Sequence, residues 1–161
     1  MRSTGEVMGH DLNFGLAFAK SQIAAGCPLP ETGTVLITVN DFDKGTIVRI
    51  ARDLSRLGFG LAATHGTAEV LTRAGLEVTR WNKVSEGSPH VVDAVREGKV
   101  HMVINTPLGT QSYGAGQAIR RAAIEFGLPL LTTMSAAQAA VAGMRASQDG
   151  TVSVRSLQSL R

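Results

Sequence analysis

From Thr34 onward the chain alternates five short β-prone apolar runs with helical segments, and this alternation limits the fold more than any other feature. The first run, Val35-Leu36-Ile37-Thr38-Val39, is continuous, as expected for a strand buried on both faces of a sheet. The other predicted strands are 59–62, 76–80, 100–104 and 128–131. Strands that alternate with helices predict an α/β fold, a five-stranded parallel sheet with helices on both faces and a Rossmann-like layout.

The predicted helices fill the gaps between these strands and also precede the first one. Five of them cover residues 11–25, 47–57, 68–74, 119–126 and 135–145, and the first of these has Asp11 as N-cap. A further helix follows Ser88 as N-cap, with Pro89 as its first helical residue. The predicted organisation is a connector over residues 1–31, one domain over 32–146 and a polar, weakly ordered tail over 147–161.

Composition and charge exclude several classes of protein. No apolar run approaches the roughly 20 residues of a bilayer-crossing helix, so no membrane association is expected. The single cysteine, Cys27, excludes an internal disulfide and predicts a reducing, cytoplasmic setting. The net charge is +3 with basic residues scattered, and one Trp and one Tyr leave little for base stacking, which excludes a nucleic-acid groove.

Polar side chains follow each predicted strand, where a parallel sheet brings them to one edge. These residues are Asp43 and Lys44, Thr64 and Thr67, Asn82 and Lys83, Asn105 and Thr106, and Thr132 and Thr133. Two lysines among hydroxyl and amide groups are typical of a phosphate site. The stretch 63–69 adds a loop at a helix N-terminus, which favours an anion. The sequence therefore predicts a site for a small anionic ligand.

The same edge offers no convincing catalytic group and no metal site. The candidate bases at this edge are Asp41, Asp43 and Glu86. Asp43 is expected to cap a helix and Glu86 to be an exposed loop residue, and no catalytic residue is predicted. The histidines are not spaced as metal ligands, and His101 is expected in a buried strand with a hydrogen bond. Arg120-Arg121 is expected to be a solvated pair, with at most one side chain facing the cleft.

Several motifs resemble the methylglyoxal-synthase-like domain family. They are Asp43-Lys44, the string Ala63-Thr64-His65-Gly66-Thr67-Ala68, Asn82-Lys83-Val84 with Glu86-Gly87 and Pro89-His90, and Ile104-Asn105-Thr106. The opening Ser3-Thr4-Gly5-Glu6-Val7-Met8-Gly9 and Phe18-Ala19-Lys20 are similar to the large-subunit family of carbamoyl phosphate synthetase. In that family the opening string leads from the second ATP-grasp half into a C-terminal allosteric domain. The resemblance implies that this chain is a fragment with its catalytic halves upstream.

The resemblance implies a regulatory domain of a glutamine-hydrolysing ligase of pyrimidine and arginine biosynthesis, which itself uses ATP with Mg²⁺ or Mn²⁺. The fragment would be non-catalytic, without a cofactor, and would bind a nucleotide monophosphate effector, UMP or IMP. Its partners would be the catalytic domains, the glutaminase small subunit and a second copy of the chain. The implied phosphate contacts are Lys44, Thr64, Gly66, Thr67, Lys83, Asn105 and Thr106, and the implied base and ribose wall is Val84, Val91 and Ile119.

Two departures from the family pattern keep alternatives open. Pro107-Leu108 stands where the family often has a further Thr or Ser, which favours a structural or oligomerisation domain with a degenerate effector site. Leu130-Leu131 replaces a Tyr-Asp pair that helps bind the activator ornithine, so Thr132 is at most a remnant of that site. A methylglyoxal synthase-type lyase is the weaker alternative, because loop 82–87 lacks its aspartate base. The related cyclohydrolase of purine synthesis has a longer loop bearing Lys and His, which is also missing.

Overall fold

The computed structural model describes residues 6–106 and 113–150, together with residues 153, 154, 156 and 158. In these residues one sheet contains the strands β1 Thr34–Val39, β2 Gly60–Thr64, β3 Thr79–Trp81, β4 Met102–Thr106 and β5 Leu130–Leu131. The helices are α1 Phe14–Ala24, α2 Lys44–Arg56, α3 His65–Arg73, α4 Val91–Arg96, α5 Tyr113–Glu125 and α6 Met134–Asp149. None of the helices in the described ranges has the length and apolarity needed to cross a membrane.

All strand pairs are parallel and the strand order is β3-β2-β1-β4-β5, which confirms the predicted five-stranded parallel sheet. Within the sheet, the chain first forms the central strand β1 and then β2 and β3 on one side of it. It next crosses to β4 on the other side of β1. The strand order therefore reverses between β1 and β4. Ligands of open α/β sheets bind in the crevice beyond the carboxyl ends of the strands at such a point.

The central strand β1 is buried on both faces because its side chains alternate between two cores. Val35 and Ile37 pack with α2 and α6, whereas Leu36 packs with α4 and α5. All three side chains are 0% exposed. Since burying each of them contributes about 1.5–3 kcal/mol, the continuous apolar run belongs at the centre of the sheet.

Two segments predicted as loops are the carboxyl ends of strands. β2 continues to Thr64 and β4 to Thr106, two residues further than the sequence pattern predicts in each case. The ladder explains the extension of β4, because Asn105 and Thr106 pair with the last two residues of β1. α3 then begins at His65 rather than Ala68, so residues 64–67 are a strand end followed by a first helical turn.

The edge strands also differ from the prediction, because each is shorter than its apolar run. β3 covers Thr79–Trp81 instead of 76–80, and β5 contains only Leu130–Leu131. Both have a single neighbouring strand, so fewer ladder hydrogen bonds define them.

The start of α1 and the end of α6 differ from the predicted positions. α1 is capped by Asn13, whose Oδ1 accepts a hydrogen bond from the Leu16 N–H at 3.2 Å. Asp11 is not the cap and instead forms an ion pair of 2.7 Å with Lys20. α6 continues to Asp149, beyond the predicted end at 145. The boundaries at 31 and 146 stay predictions.

α4 begins at Val91 rather than Pro89, because a reciprocal cap forms between His90 and Asp93. The Asp93 N–H donates to His90 Nδ1 at 3.3 Å, and the Asp93 carboxylate accepts from the His90 N–H at 3.0 Å. The Ser88 hydroxyl also donates to that carboxylate, at 2.8 Å. Ser88 therefore supports the cap without being the cap residue.

Candidate functional site

A cavity of about 570 Å³ lies at the carboxyl edge of the sheet, where the strand order reverses. Volumes of this size are typical of small-molecule sites. Its polar lining includes predicted phosphate contacts, namely Thr64, Lys83, Asn105 and Thr106. Its apolar lining includes the whole predicted base and ribose wall, namely Val84, Val91 and Ile119. The fold thus brings these residues together from β2, β4, α4, α5 and the turn before α4.

The side chain of Asn105 is buried and held from both sides. Its Nδ2 donates to Thr38 Oγ1 at 2.7 Å, and its Oδ1 accepts from Arg120 Nη1 at 2.8 Å. Asn105 is 5% exposed. Its amide oxygen therefore holds Arg120 next to the cavity, and its own donor group is largely used within the protein.

Arg120 lies beside the cavity without lining it, and its hydrogen bond with Asn105 contradicts the interpretation of Arg120-Arg121 as a solvated pair. Only Arg121 is exposed, whereas Arg120 is half-buried against β4. A Cβ placed on Gly116 would lie 2.8 Å from Arg120 Nη1, so the missing side chain at this position leaves room for the guanidinium. The available signal was the spacing of Gly116 and Arg120, which places them on one face of a helix.

The Thr106 side chain anchors the turn that follows β1. Its Oγ1 accepts from the Asn40 N–H at 3.3 Å and from Asn40 Nδ2 at 3.2 Å. Asn40 Oδ1 in turn accepts from the N–H groups of Phe42 and Asp43, at 2.9 and 3.2 Å. Asn40, rather than Asp43, is therefore the residue whose side chain caps this turn and leads into α2.

The first turn of α3 forms one wall beside the cavity. Thr64 stands at its N-cap position and is 8% exposed, but its side chain makes no capping hydrogen bond. Thr67 is 2% exposed, and its Oγ1 accepts from the Val39 N–H at 3.4 Å. The first turn carries no acidic residue. The partial positive charge of this helix end is therefore not neutralised from within the helix.

Three predicted phosphate contacts do not line the cavity, namely Lys44, Gly66 and Thr67. Lys44 is nevertheless next to the cavity, because it pairs with a lining residue, Asp41. Lys44 Nζ lies 2.6 Å from Asp41 Oδ1, and Asp41 is a lining residue. A Cβ placed on Gly66 would lie 3.3 Å from Lys44 Nζ, so the ammonium sits over the first turn of α3. The hydrogen bond and then the charge of Lys44 lower the pKa of Asp41, and the charge of Lys83 acts in the same direction.

Lys83 lines the cavity from the N-cap position of the turn Val84–Glu86, which precedes α4. The Lys83 N–H donates to Glu86 Oε2 at 2.8 Å, so this carboxylate stabilises the turn. Glu86 is exposed, as predicted, and its carboxylate is engaged locally.

Two further sequence interpretations concern residues away from the cavity. Thr132 is exposed after β5 and does not contribute to the lining. His101 is exposed and precedes β4, so its assignment to a buried strand is wrong, although its Nδ1 accepts from the Thr34 N–H at 3.0 Å. Pro107-Leu108 lies outside the described residues.

Metal binding has no support in the described ranges. These residues contain no group of three or more His, Cys, Asp or Glu side chains that could hold a metal ion. Cys27 is a free thiol whose pKa is raised by partial burial. The described site therefore offers cations, hydroxyls and an apolar wall, which suit a phosphorylated organic ligand.

The chain is similar to known proteins along almost its whole length. A family model described as an MGS-like domain matches residues 46–132. The carbamoyl phosphate synthase large chain of Acidobacterium capsulatum is 48% identical over 99% of this chain and 15% of its own length. The C-terminal section of that large chain from Methanopyrus kandleri is 50% identical over 99% of this chain and 30% of its own length. The chain therefore spans less than a third of these relatives.

The fold also occurs in a solved structure of low sequence identity. The crystal structure of methylglyoxal synthase from Elizabethkingia anophelis NUHP1 superposes with a TM-score of 0.59 and 19% identity. The match covers 70% of this chain and 79% of that one. At this identity the likeness concerns the fold alone.

Proposed function

Because the chain belongs to the MGS-like domain family and is similar over 99% of its length to large chains of carbamoyl phosphate synthase, we propose that it is the effector-binding regulatory domain of such a large chain. The effector is a nucleoside monophosphate, UMP or IMP. One observation carries the proposal. The cavity at the carboxyl edge of the sheet, where the strand order reverses, combines cationic, hydroxyl and apolar groups in a volume of about 570 Å³.

The phosphate group of the effector binds on the polar side of the cavity. Lys83 and Lys44 supply charge, while the hydroxyls of Thr64, Thr67 and Thr106 donate hydrogen bonds. The first turn of α3 contributes N–H groups, and Gly66 lets an oxygen approach them closely. In support, this helix end has neither a side-chain cap nor an acidic residue of its own.

The base and ribose bind against the apolar wall of Val84, Val91 and Ile119. Val91 and Ile119 are 0% and 4% exposed, so both belong to the core that packs on the sheet. A wall with such fixed side chains offers a flat apolar surface to a nucleobase at little entropic cost. Ligands that lack the base are expected to bind more weakly.

Regulation then arises from coupling between this domain and the rest of a large chain. An effector that binds one conformation better than another shifts the equilibrium between them. The partners are the catalytic domains, which bind ATP with Mg²⁺ or Mn²⁺, and the glutaminase small subunit. The domain itself carries no catalytic residue and acts in the cytoplasm, in pyrimidine and arginine biosynthesis.

Isothermal titration calorimetry tests this function with UMP, IMP, inorganic phosphate and uridine, at low and moderate salt. We expect saturable binding of UMP or IMP that is tighter than that of phosphate, and no binding of uridine at the same concentrations. The phosphate supplies the charge interaction, and the base adds apolar contact.

The other outcomes separate the alternatives. Equal affinity for UMP and phosphate would indicate an anion site that does not recognise a base. If no compound binds, the effector role is wrong, and a structural domain with a degenerate site explains the fold. Sedimentation of the same sample would then determine whether the domain forms oligomers.

A further inference from the structure

We propose that Asp41 is a built-in competitor for the anion, which neutralises the Lys44 ammonium so that a phosphate binds only by sharing or displacing this carboxylate. The inference rests on the proposed function and adds to it a residue that sets how tightly a phosphate ligand binds.

Lys44 occupies the position where an anion at α3 would need a counter-charge. It is the first residue of α2, and its side chain lies over Gly66 in the first turn of α3. Its side chain is only 27% exposed, so the ammonium does not move freely in solvent. A phosphate bound to the N–H groups of α3 would therefore lie close to this ammonium.

Asp41 already forms a close ion pair with this ammonium. The distance from Asp41 Oδ1 to Lys44 Nζ is 2.6 Å, and the Asp41 side chain is 88% exposed at the cavity. An exposed carboxylate can swing away into water, which a buried one could not do without a large desolvation cost. Asp41 can therefore be displaced, as a competitor must be.

The turn that carries Asp41 is fixed to the sheet, so the competition is part of the fold. The backbone N–H and the Nδ2 of Asn40 both donate to Thr106 Oγ1. Asn40 Nδ2 also donates to Asp43 Oδ2 at 2.6 Å. This arrangement fixes the backbone of the turn, so the Asp41 carboxylate stays within reach of the cavity and of Lys44. A negative charge thus remains near a bound phosphate even when the ion pair opens.

The charges at this end of the cavity then determine affinity. Lys44 and Lys83 contribute two positive charges, and Asp41 removes one of them. Replacing the carboxylate by an amide of the same shape releases Lys44 and removes the repulsion of a dianionic phosphate. Tighter binding of every phosphate ligand is expected, with or without a base.

The test compares Asp41→Asn with Asp53→Asn in the intact chain, using inorganic phosphate and UMP as probes in calorimetry at low salt. Asp53→Asn makes the same charge change on α2, about 13 Å along the helix axis from Lys44, where Asp53 pairs with Arg56 and Arg145. We expect Asp41→Asn to bind both probes about fivefold to tenfold more tightly. Asp53→Asn should stay within about twofold of the unmodified chain, because salt screens distant charges.

Asp41→Glu adds a conservative control, since it keeps a carboxylate within reach of Lys44 and should bind as weakly as the unmodified chain. If UMP binds the unmodified chain but Asp41→Asn and Asp53→Asn have equal affinities, the inference is wrong and the proposed function stands. If Asp41→Asn gains phosphate but not UMP affinity, the competition is real and recognition of the base is wrong. If neither the unmodified chain nor any variant binds phosphate or UMP, the inference and the proposed function are both wrong.

Discussion

At the scale of single residues, the site contrasts side chains held inside the protein with side chains directed at the cavity. Asn105 and Thr67 are buried and make hydrogen bonds within the sheet region, to Thr38 and to the Val39 N–H. Truncating either leaves a buried partner unsatisfied, which costs about 1–3 kcal/mol of stability as well as any loss of binding. Lys83 is exposed and therefore reports on ligand binding more cleanly.

The first prediction concerns Lys83. Lys83→Met should weaken UMP binding by about tenfold to a hundredfold, since a hydrogen bond between charged groups contributes about 1.5–3 kcal/mol. The free energy of unfolding should be unchanged, because the side chain is exposed. The measurements are calorimetric affinity and urea unfolding.

Lys99→Met is the matched control, because Lys99 is exposed, precedes β4 and pairs with Glu97. It removes the same charge outside the cavity lining. An equal loss of affinity in both variants would point to a general effect of net charge and contradict a direct phosphate contact by Lys83.

At the scale of elements, the caps of the helices and the contact between α1 and α6 stabilise the domain that carries the site. α1 approaches α6 so closely that a Cβ on Gly15 would overlap the Ala142 carbonyl. A Cβ on Gly143 would lie 3.1 Å from the Gly15 carbonyl oxygen. The contact therefore depends on two glycines that face each other across the helices.

The second prediction follows from this contact. Gly15→Ala should lower the free energy of unfolding by about 1–3 kcal/mol, because the new methyl group forces the two helices apart. Gly45→Ala is the matched control in α2, where a Cβ would meet nothing within 4 Å. It should raise stability by up to about 1 kcal/mol. Urea unfolding measures both, and equal effects would contradict the close contact.

The third prediction concerns the cap of α4. The His90 N–H and then the Ser88 hydroxyl lower the pKa of Asp93 below its ordinary value of 3.8. Because the folded state has the lower pKa, the stabilisation is present above pH 3.8 and is lost as the pH falls through the lowered value. Asp93→Asn should therefore destabilise the domain at pH 7 and make little difference at a pH below the lowered value.

Urea unfolding at neutral and acid pH measures the difference. Glu97→Gln removes a carboxylate at the other end of the same helix, where a negative charge is unfavourable, so it should be neutral or slightly stabilising at pH 7. A loss of stability in Asp93→Asn that is the same at both pH values would contradict a role for its ionised form.

At the scale of the whole molecule, the sheet order creates the cavity from segments that are distant in sequence. Its polar lining comes from β1, β2, β4 and the turn before α4, and Arg120 approaches from α5. A ligand that contacts all of these segments binds only the folded state. Ligand binding should therefore stabilise the domain as a unit.

The fourth prediction tests this linkage. UMP at about a hundred times its dissociation constant should add about 2.7 kcal/mol to the free energy of unfolding. For a chain of this size that corresponds to a rise in Tm of about 5–10 °C, measured by thermal unfolding. Uridine should give no rise, and Lys83→Met should need a higher UMP concentration for the same rise. A rise with uridine equal to that with UMP would contradict a phosphate-dependent site.

Local sequence determined the elements and most of the polar residues at the edge. The apolar run at Val35–Val39 predicted a strand buried on both faces, and Thr64, Lys83 and Thr106 stood out because they follow such runs. The resemblance to a known family implied the apolar wall of Val84, Val91 and Ile119. These features depend on neighbouring residues in the chain, so a single sequence contains them.

Only the tertiary structure decided where the strands end and which side chains meet. β4 extends to Thr106 because it pairs with β1, and Arg120 lies next to the cavity because α5 brings it within 2.8 Å of Asn105 Oδ1. Asp41 and Lys44 are only three residues apart, but the place of this pair beside the cavity depends on how Asn40 ties its turn to β4. Hydrogen bonds between residues far apart in the sequence set these positions, and no local pattern records them.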